Sequence, residues 1–192
     1  IALPILAGLI KAKGIKFDFK KHRRKLLLGS LILTAHFLVQ ITGMKYTSAT
    51  NTGWIISLTP LVTIFLAFIL LKEKIGKNAI IGVIIATFGI LLLISKGNLF
   101  DFGWISSIGD WLILISAHTW ALYTIVTRDV SRFNNPLAVT FVILLPSAII
   151  VAVIMILSTD WPRLLQMPLN AMLALIYLGV FGTALGHWFW QV

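Results

Sequence analysis

Polar side chains that could act on a solute are few in this chain, and two of them recur at one spacing. His36 and Gln40 lie four residues apart, and His187 and Gln191 repeat that pair near the other end. Four residues are about one helical turn, so each pair shares one face of a helix. An imidazole can donate, accept or carry a proton, and an amide can donate and accept. Both pairs are therefore predicted to line a polar path, with hydrogen bonds that merely join two helices as the alternative.

Five further residues extend this candidate set. Asn51, His118 and Tyr123 are polar side chains within otherwise apolar runs, and Trp54 and Trp120 offer aromatic surfaces on which an organic solute can stack. Packing between helices is the alternative for both tryptophans. The predicted substrate-binding residues are His36, Gln40, Asn51, Trp54, His118, Trp120, Tyr123, His187 and Gln191.

Catalytic groups are sparse in the sequence. The chain has no cysteine, which removes disulfides, thiolate nucleophiles and thiolate metal ligands. Neither H-E-x-x-H nor G-x-S-x-G occurs. An intramembrane enzyme would also need acids or metal ligands clustered with the histidines. We therefore expect no enzymatic activity, no catalytic residue, no metal and no cofactor.

Asp110 is a carboxylate for which two roles compete. It could take part in proton coupling, but Ser107-x-x-Asp110 is also the pattern of a capping box at the start of a helix, and we favour the cap. No carboxylate lies deep within a predicted span, so His36, His118 or His187 would have to titrate in place of a carboxylate relay. Protons therefore stay a candidate coupling ion.

The elements that must position these residues follow from composition. Hydrophobic residues make up 59% of the 192 residues, charged residues 11%, and the mean hydropathy is +0.99. Soluble domains carry about 25% charged residues, so we predict an all-α integral membrane protein, a polytopic helical bundle. A membrane-crossing helix needs about 20 apolar residues. After an apolar stub at 1–10, which predicts a fragment of a longer protein, six segments meet or approach this length: 26–46, 49–71, 78–95, 107–127, 137–157 and 170–192.

The basic residues predict how these spans are oriented. Lys11–Lys25 holds eight of the sixteen lysines and arginines, directly before an uncharged apolar run. If this loop is cytoplasmic, alternation places thirteen basic residues on that side and three on the other, as the positive-inside rule requires. A patch for nucleic acid or anionic lipid is the alternative. The topological interpretation predicts a multi-pass protein of the cell inner (plasma) membrane, with loop 11–25 cytoplasmic and no nucleic-acid partner.

A second sequence match indicates two copies of one unit. Pro4 in Ile1-Ala-Leu-Pro4 corresponds to Pro146 in Ile143-Leu-Leu-Pro146, one span before each His/Gln pair. The predicted topology gives the two copies opposite orientations. Repeats of inverted topology belong largely to secondary transporters, so the pattern predicts that architecture, with chance recurrence as the alternative.

Several stretches together are similar to one known family. They combine a short turn before a proline-containing helix, a charged turn with a glutamate, a glycine-bearing helix and the opening of a second repeat. In chain order these are Thr47–Leu61, Leu70–Gly76, Ile81–Gly82, Phe88–Leu92, Gly109-Asp110 and Trp120–Tyr123. The pattern resembles the EamA-like branch of the drug/metabolite transporter superfamily.

The resemblance covers nearly the whole chain and implies ten helices in two inverted repeats of five. The chain would then hold the end of the first EamA-like repeat at 1–95 and the start of the second at 107–192. Family members mostly export small metabolites, amino acids among them, through a central cavity. The resemblance thus implies a secondary transporter of a small organic solute, embedded in the lipid bilayer and working by alternating access. A membrane scaffold or assembly subunit that moves no solute is the alternative.

Overall fold

The computed structural model describes residues 1–16, 22–72, 76–94, 106–158 and 166–191, and every regular element in these ranges is helical. The elements are α1 (Ala2–Ala12), α2 (Arg23–Met44), α3 (Ala49–Ile56), α4 (Thr59–Leu71), α5 (Lys77–Ile94), α6 (Ile108–Phe133), α7 (Pro136–Ser158), α8 (Leu169–Tyr177), a π-helical segment (Leu178–Leu185) and α9 (Gly186–Gln191). The predicted all-α class is confirmed.

Four helical stretches of the described chain are long and apolar enough to cross a membrane. They are Arg23–Met44, Ala49–Leu71, Pro136–Ser158 and Leu169–Trp190. The apolar part of α5 is shorter, and polar side chains along α6 lower its mean hydropathy. The membrane fold predicted from composition is therefore confirmed, while the count of six spans stays a prediction.

The predicted span at 49–71 is two helices. Ser57 and Leu58 form a short turn of right-handed helical geometry between the two helices, and α4 begins at Thr59 with Pro60 in its first turn. Proline is tolerated there because the first amides of a helix have no intrahelical acceptor. Pro146, by contrast, lies inside the continuous helix α7. The interruption expected at Pro60 thus falls just before it.

Helix α6 ends at Phe133 rather than at the predicted 127. The additional residues are stabilised by a partner distant in sequence: the Lys25 ammonium lies 2.5 Å from the Asp129 carboxylate. The hydrogen bond from Lys25, together with its charge, lowers the pKa of Asp129. Charged residues can therefore continue this helix, where the sequence predicted a loop.

The described chain forms two compact units. One comprises residues 1–34 and 126–192, and the other residues 35–125. These limits differ from the predicted repeat bounds, 1–95 and 107–192, which stay a prediction.

In the unit made of residues 1–34 and 126–192, α1 packs against α7 and the π-helical segment, and α9 also packs against α7. Leu6, Val139 and Ile143 are fully buried there. The Ser147 hydroxyl donates to the carbonyl of Ser30 at 3.0 Å, which joins α7 to the start of α2. This unit thus combines an apolar core with a buried polar contact between helices.

In the unit at 35–125, the second half of α2 packs against the first half of α6. Gly43 lies close to Gly109 and Ile113, whereas His36 contacts Ser116 further along α6. Residues later in α2 contact residues earlier in α6, so the two segments run antiparallel. Large apolar side chains of α4 and α5 are exposed, as expected for residues that face lipid: Phe65, Phe68, Ile69, Ile81, Ile84 and Ile85.

Candidate functional site

Helix α6 carries a stripe of polar and aromatic side chains. Ser116, Thr119, Trp120 and Tyr123 are spaced by three, one and three residues, so they share one face of the helix. Ser116 and Tyr123 are fully buried, and Thr119 and Trp120 are half-buried. This face therefore points into the unit rather than out of it.

His36 meets this stripe from α2. Its side chain is 5% exposed, and its Nδ1 lies 3.0 Å from the carbonyl oxygen of Ser116. A carbonyl can only accept, so Nδ1 carries the proton and Nε2 is the acceptor of the neutral ring. Thr119 donates to the same carbonyl at 2.8 Å, with its hydroxyl 3.4 Å from Nδ1. The imidazole is thus held in one orientation with one tautomer.

The Trp120 ring adjoins this imidazole, and the Tyr123 ring in turn adjoins Trp120. The Trp120 ring centroid lies 5.0 Å from that of His36, and the Tyr123 centroid lies 5.4 Å from that of Trp120. Imidazole, indole and phenol together provide surfaces for stacking and groups for hydrogen bonding. We call these residues the His36 cluster: His36, Ser116, Thr119, Trp120 and Tyr123. Three of the nine predicted substrate-binding residues therefore come together here.

Gln40 and His118 are placed differently with respect to the His36 cluster. Gln40 lies one turn after His36 on α2 and is half-buried. His118 is exposed, and its Nδ1 donates to the carbonyl of Leu114, one turn earlier in its own helix, at 2.8 Å. At 100° per residue, His118 lies about 200° around α6 from Ser116. The structure does not bring His118 together with His36.

Asn51 belongs to a network around Asp110. Its Nδ2 donates to Asp110 Oδ1 at 3.1 Å, and the Thr47 hydroxyl donates to the same oxygen. The other oxygen, Oδ2, accepts from the backbone amides of Ser106 and Ser107 at 3.0 and 2.9 Å. The Ser107 hydroxyl in turn accepts from the Asp110 amide at 3.1 Å. The predicted capping box is present, and Asn51 and Thr47 join it to the turn between α2 and α3.

Replacing Asp110 by asparagine should lower the free energy of unfolding by about 2 kcal/mol. The side chain is fully buried, and an amide nitrogen would face donors that now reach a carboxylate oxygen. Asp129→Asn, on the same helix, is the matched control: Asp129 is 61% exposed, and surface ion pairs contribute about 0–1 kcal/mol. Thermal unfolding of the full-length protein in detergent measures both. Equal losses would contradict the capping role of Asp110.

Trp54 lines a separate groove between α3 and α5. The groove has a volume of about 560 Å³, and Gly53, Ser57, Ala86 and Gly89 also line it. The Trp54 side chain is half-buried, and the backbone carbonyl of Trp54 accepts a hydrogen bond from the Ser57 hydroxyl at 2.5 Å. Trp54 therefore offers an indole surface to this groove.

The second His/Gln pair lies in the unit made of residues 1–34 and 126–192. His187 is 7% exposed in α9, and its carbonyl oxygen lies 3.5 Å from the Thr140 hydroxyl of α7. Gln191 is the last residue of α9, and its side chain lies outside the described atoms. A buried histidine is thus present in each unit, while a shared role for the two His/Gln pairs stays a prediction.

Ser116 and Thr119 are residues of the cluster that the sequence reasoning missed. Both are small and common in membrane helices, so neither stood out by type. Their spacing from Trp120 and Tyr123 is the signal that could have found them, because positions 116, 119, 120 and 123 form one helical face.

The comparison with protein families gives a match over most of the chain. The model of the EamA-like transporter family matches residues 1–95 and 107–192. The chain belongs to the EamA-like transporter family. The family and the multi-pass membrane character predicted from the sequence are thereby confirmed.

Relatives of this EamA-like chain occur in bacteria and plants. It is 29% identical, over 99% of its length, to the uncharacterized transporter YyaM of Bacillus subtilis. It is 24% identical, over 97% of its length, to an uncharacterized transporter of Clostridium kluyveri. A WAT1-related chloroplastic protein of Arabidopsis thaliana is 31% identical over 79% of the chain and 37% of its own length.

The EamA-like chain spans 63% and 60% of the lengths of the two bacterial relatives. No solved structure matches it.

Proposed function

We propose that this EamA-like protein is a secondary transporter that exports small metabolites such as amino acids. In this proposal it works by alternating access between two inverted repeats in the cell inner (plasma) membrane, with loop 11–25 cytoplasmic. The observation that carries the proposal is the His36 cluster, a buried imidazole in contact with an indole that in turn contacts a phenol.

The hydrogen bonding of the His36 cluster favours a solute path over a contact that only joins helices. One bond, from Nδ1 to the Ser116 carbonyl, is enough to join α2 to α6, and such bonds contribute about 0.6–2 kcal/mol. The cluster offers more than that: Nε2 of the neutral ring is an acceptor, and the neighbouring rings suit an organic group. A solute with an ammonium or amide donor and an apolar part would match these features.

Coupling to protons is part of the proposal, and His36 is its candidate carrier. The Asp110 carboxylate is engaged by four donors in the capping network, so it is poorly suited to exchange protons during transport. An imidazole changes charge near neutral pH. His36 lies between helices, where protonation would alter both its bond to α6 and its affinity for a cationic solute.

The test is solute counterflow in proteoliposomes that contain the full-length protein. Vesicles loaded with one amino acid or small metabolite at a time are assayed for uptake of the labelled compound, with and without a pH gradient. Protein-dependent uptake of at least one compound, changed by the gradient, is the expected result. If the protein were a membrane scaffold, uptake of every compound would equal the uptake by protein-free vesicles.

A further inference from the structure

A groove in the unit made of residues 1–34 and 126–192 combines an apolar floor with a basic rim. It lies between the end of α1 and the first half of α7 and has a volume of about 480 Å³. Ile10, Phe141 and Val142 contribute to its floor, and Lys11 and Lys16 stand at its rim with exposed side chains. Among the described residues that line it, none is acidic.

The backbone that carries the two rim lysines is held by the end of α1. Gly14 has φ +59°, its amide donates to the carbonyl of Lys11, and the amide of Ile15 donates to that of Ile10. This pair of bonds is a Schellman motif, in which a residue with positive φ closes the helix and two apolar residues meet. Lys11 therefore stands on an ordered helix end, and Lys16 directly follows the residue that completes the motif.

The third lysine of this helix end has another contact. Lys13 lies between the rim lysines in sequence, and its ammonium is 5.4 Å from the centre of the Trp188 ring. This contact is a cation–π interaction within the same unit. The rim lysines remain exposed, so their positive charge is available at the mouth of the groove.

The chemistry of the groove selects an amphipathic anion. A soluble phosphate would pair with the lysines but would leave the apolar floor in contact with water. A neutral lipid would cover the floor but would leave the ammonium groups without a counter-charge. In the proposed topology, on which this inference rests, the apolar helix α1 ends here at the cytoplasmic face, where anionic lipids attract lysines. We propose that this groove binds one anionic phospholipid, with an acyl chain on the floor and the phosphate between Lys11 and Lys16.

Native mass spectrometry of the full-length protein in detergent tests this proposal. Dioleoyl phosphatidylglycerol is titrated into the protein, with dioleoyl phosphatidylcholine as the neutral lipid of equal chains. We expect the double variant Lys11→Gln/Lys16→Gln to bind phosphatidylglycerol roughly 30-fold more weakly, about five- to sixfold for each lysine. Its binding of phosphatidylcholine should not change. The substituted lysines are exposed, so the melting temperature should be that of the wild type.

The matched control is Lys72→Gln/Lys77→Gln, which removes two exposed lysines from the other unit. An equal loss of affinity in the control would show attraction to net charge and would overturn the proposal. A further variant, Ala7→Trp, places a large side chain at an exposed position that lines the groove while both lysines remain. It should also weaken phosphatidylglycerol binding. Unchanged binding in Ala7→Trp, together with competition by glycerol 1-phosphate, would indicate a site for soluble anions instead.

Discussion

Gly109→Ala should destabilise the full-length protein by about 3 kcal/mol, the largest stability loss that we expect from adding one methyl group to this chain. A Cβ atom at Gly109 would lie 2.5 Å from the carbonyl carbon of Tyr46 and 2.7 Å from the carbonyl oxygen of Gly43. Both atoms belong to the backbone, so no side chain can rotate away. Overpacking of this kind typically costs about 1–3 kcal/mol, occasionally more, because the backbone must shift.

The control for Gly109→Ala is Gly82→Ala. An added Cβ at Gly82 has no described atom within 4 Å, and alanine is favoured over glycine inside a helix by up to about 1 kcal/mol. Tryptophan fluorescence during heating, with the protein in detergent, follows both variants. We expect a lower melting temperature for Gly109→Ala and an equal or higher one for Gly82→Ala. If both variants melted like the wild type, the close approach of α6 to the end of α2 would be wrong.

His36→Ala should reduce solute transport by the full-length protein at least about tenfold while expression stays normal. The substitution removes the imidazole that contacts the Ser116 carbonyl and the Trp120 ring. A loss of about 1.4 kcal/mol in the stabilisation of the bound solute corresponds to a factor of ten. Initial uptake rates in proteoliposomes measure the effect for a compound that the protein transports.

His118→Ala is the matched control for this substitution. It removes the same chemical group, also from an apolar run of the sequence. His118, however, is exposed and hydrogen-bonded to its own helix. Its uptake rate should stay within about twofold of the wild-type rate. A melting temperature measured for each variant separates loss of a solute contact from loss of folding. Full transport by both His36→Ala and Gln40→Ala would remove these residues from the solute path.

Local patterns predicted much of this fold because local physics determines it. The capping box of Ser107 and Asp110 depends on residues three apart in sequence, and the structure contains it. Apolar runs likewise predicted α7 to within one residue at each end and α2 to within three. The predicted end of α6 was wrong: the helix continues to Phe133, and Asp129 pairs there with Lys25, 104 residues away, a partner that no local pattern records.

The candidate site shows the same division between local and long-range information. His36 and His118 are the same residue type in apolar runs, so type alone placed both in one site. The packed face of each helix separates them, since Ser116 and Trp120 point inward and His118 lies on the opposite side. Likewise, the sequence shows Asn51 only as a polar residue in an apolar run. Its hydrogen-bond partner Asp110 lies 59 residues further on and could not be inferred locally.

The interruption between α3 and α4 determines where backbone hydrogen bonding changes along the membrane crossing that they form. Helices of 8 and 13 residues are about 12 and 20 Å long at 1.5 Å per residue. Neither helix alone traverses a hydrocarbon layer of about 30 Å, whereas together they form one candidate span, Ala49–Leu71, so their junction falls within that layer. The amide of Leu58 donates there to the carbonyl of Ile55 at 3.1 Å, so this peptide group stays hydrogen-bonded where the α-helical pattern is interrupted.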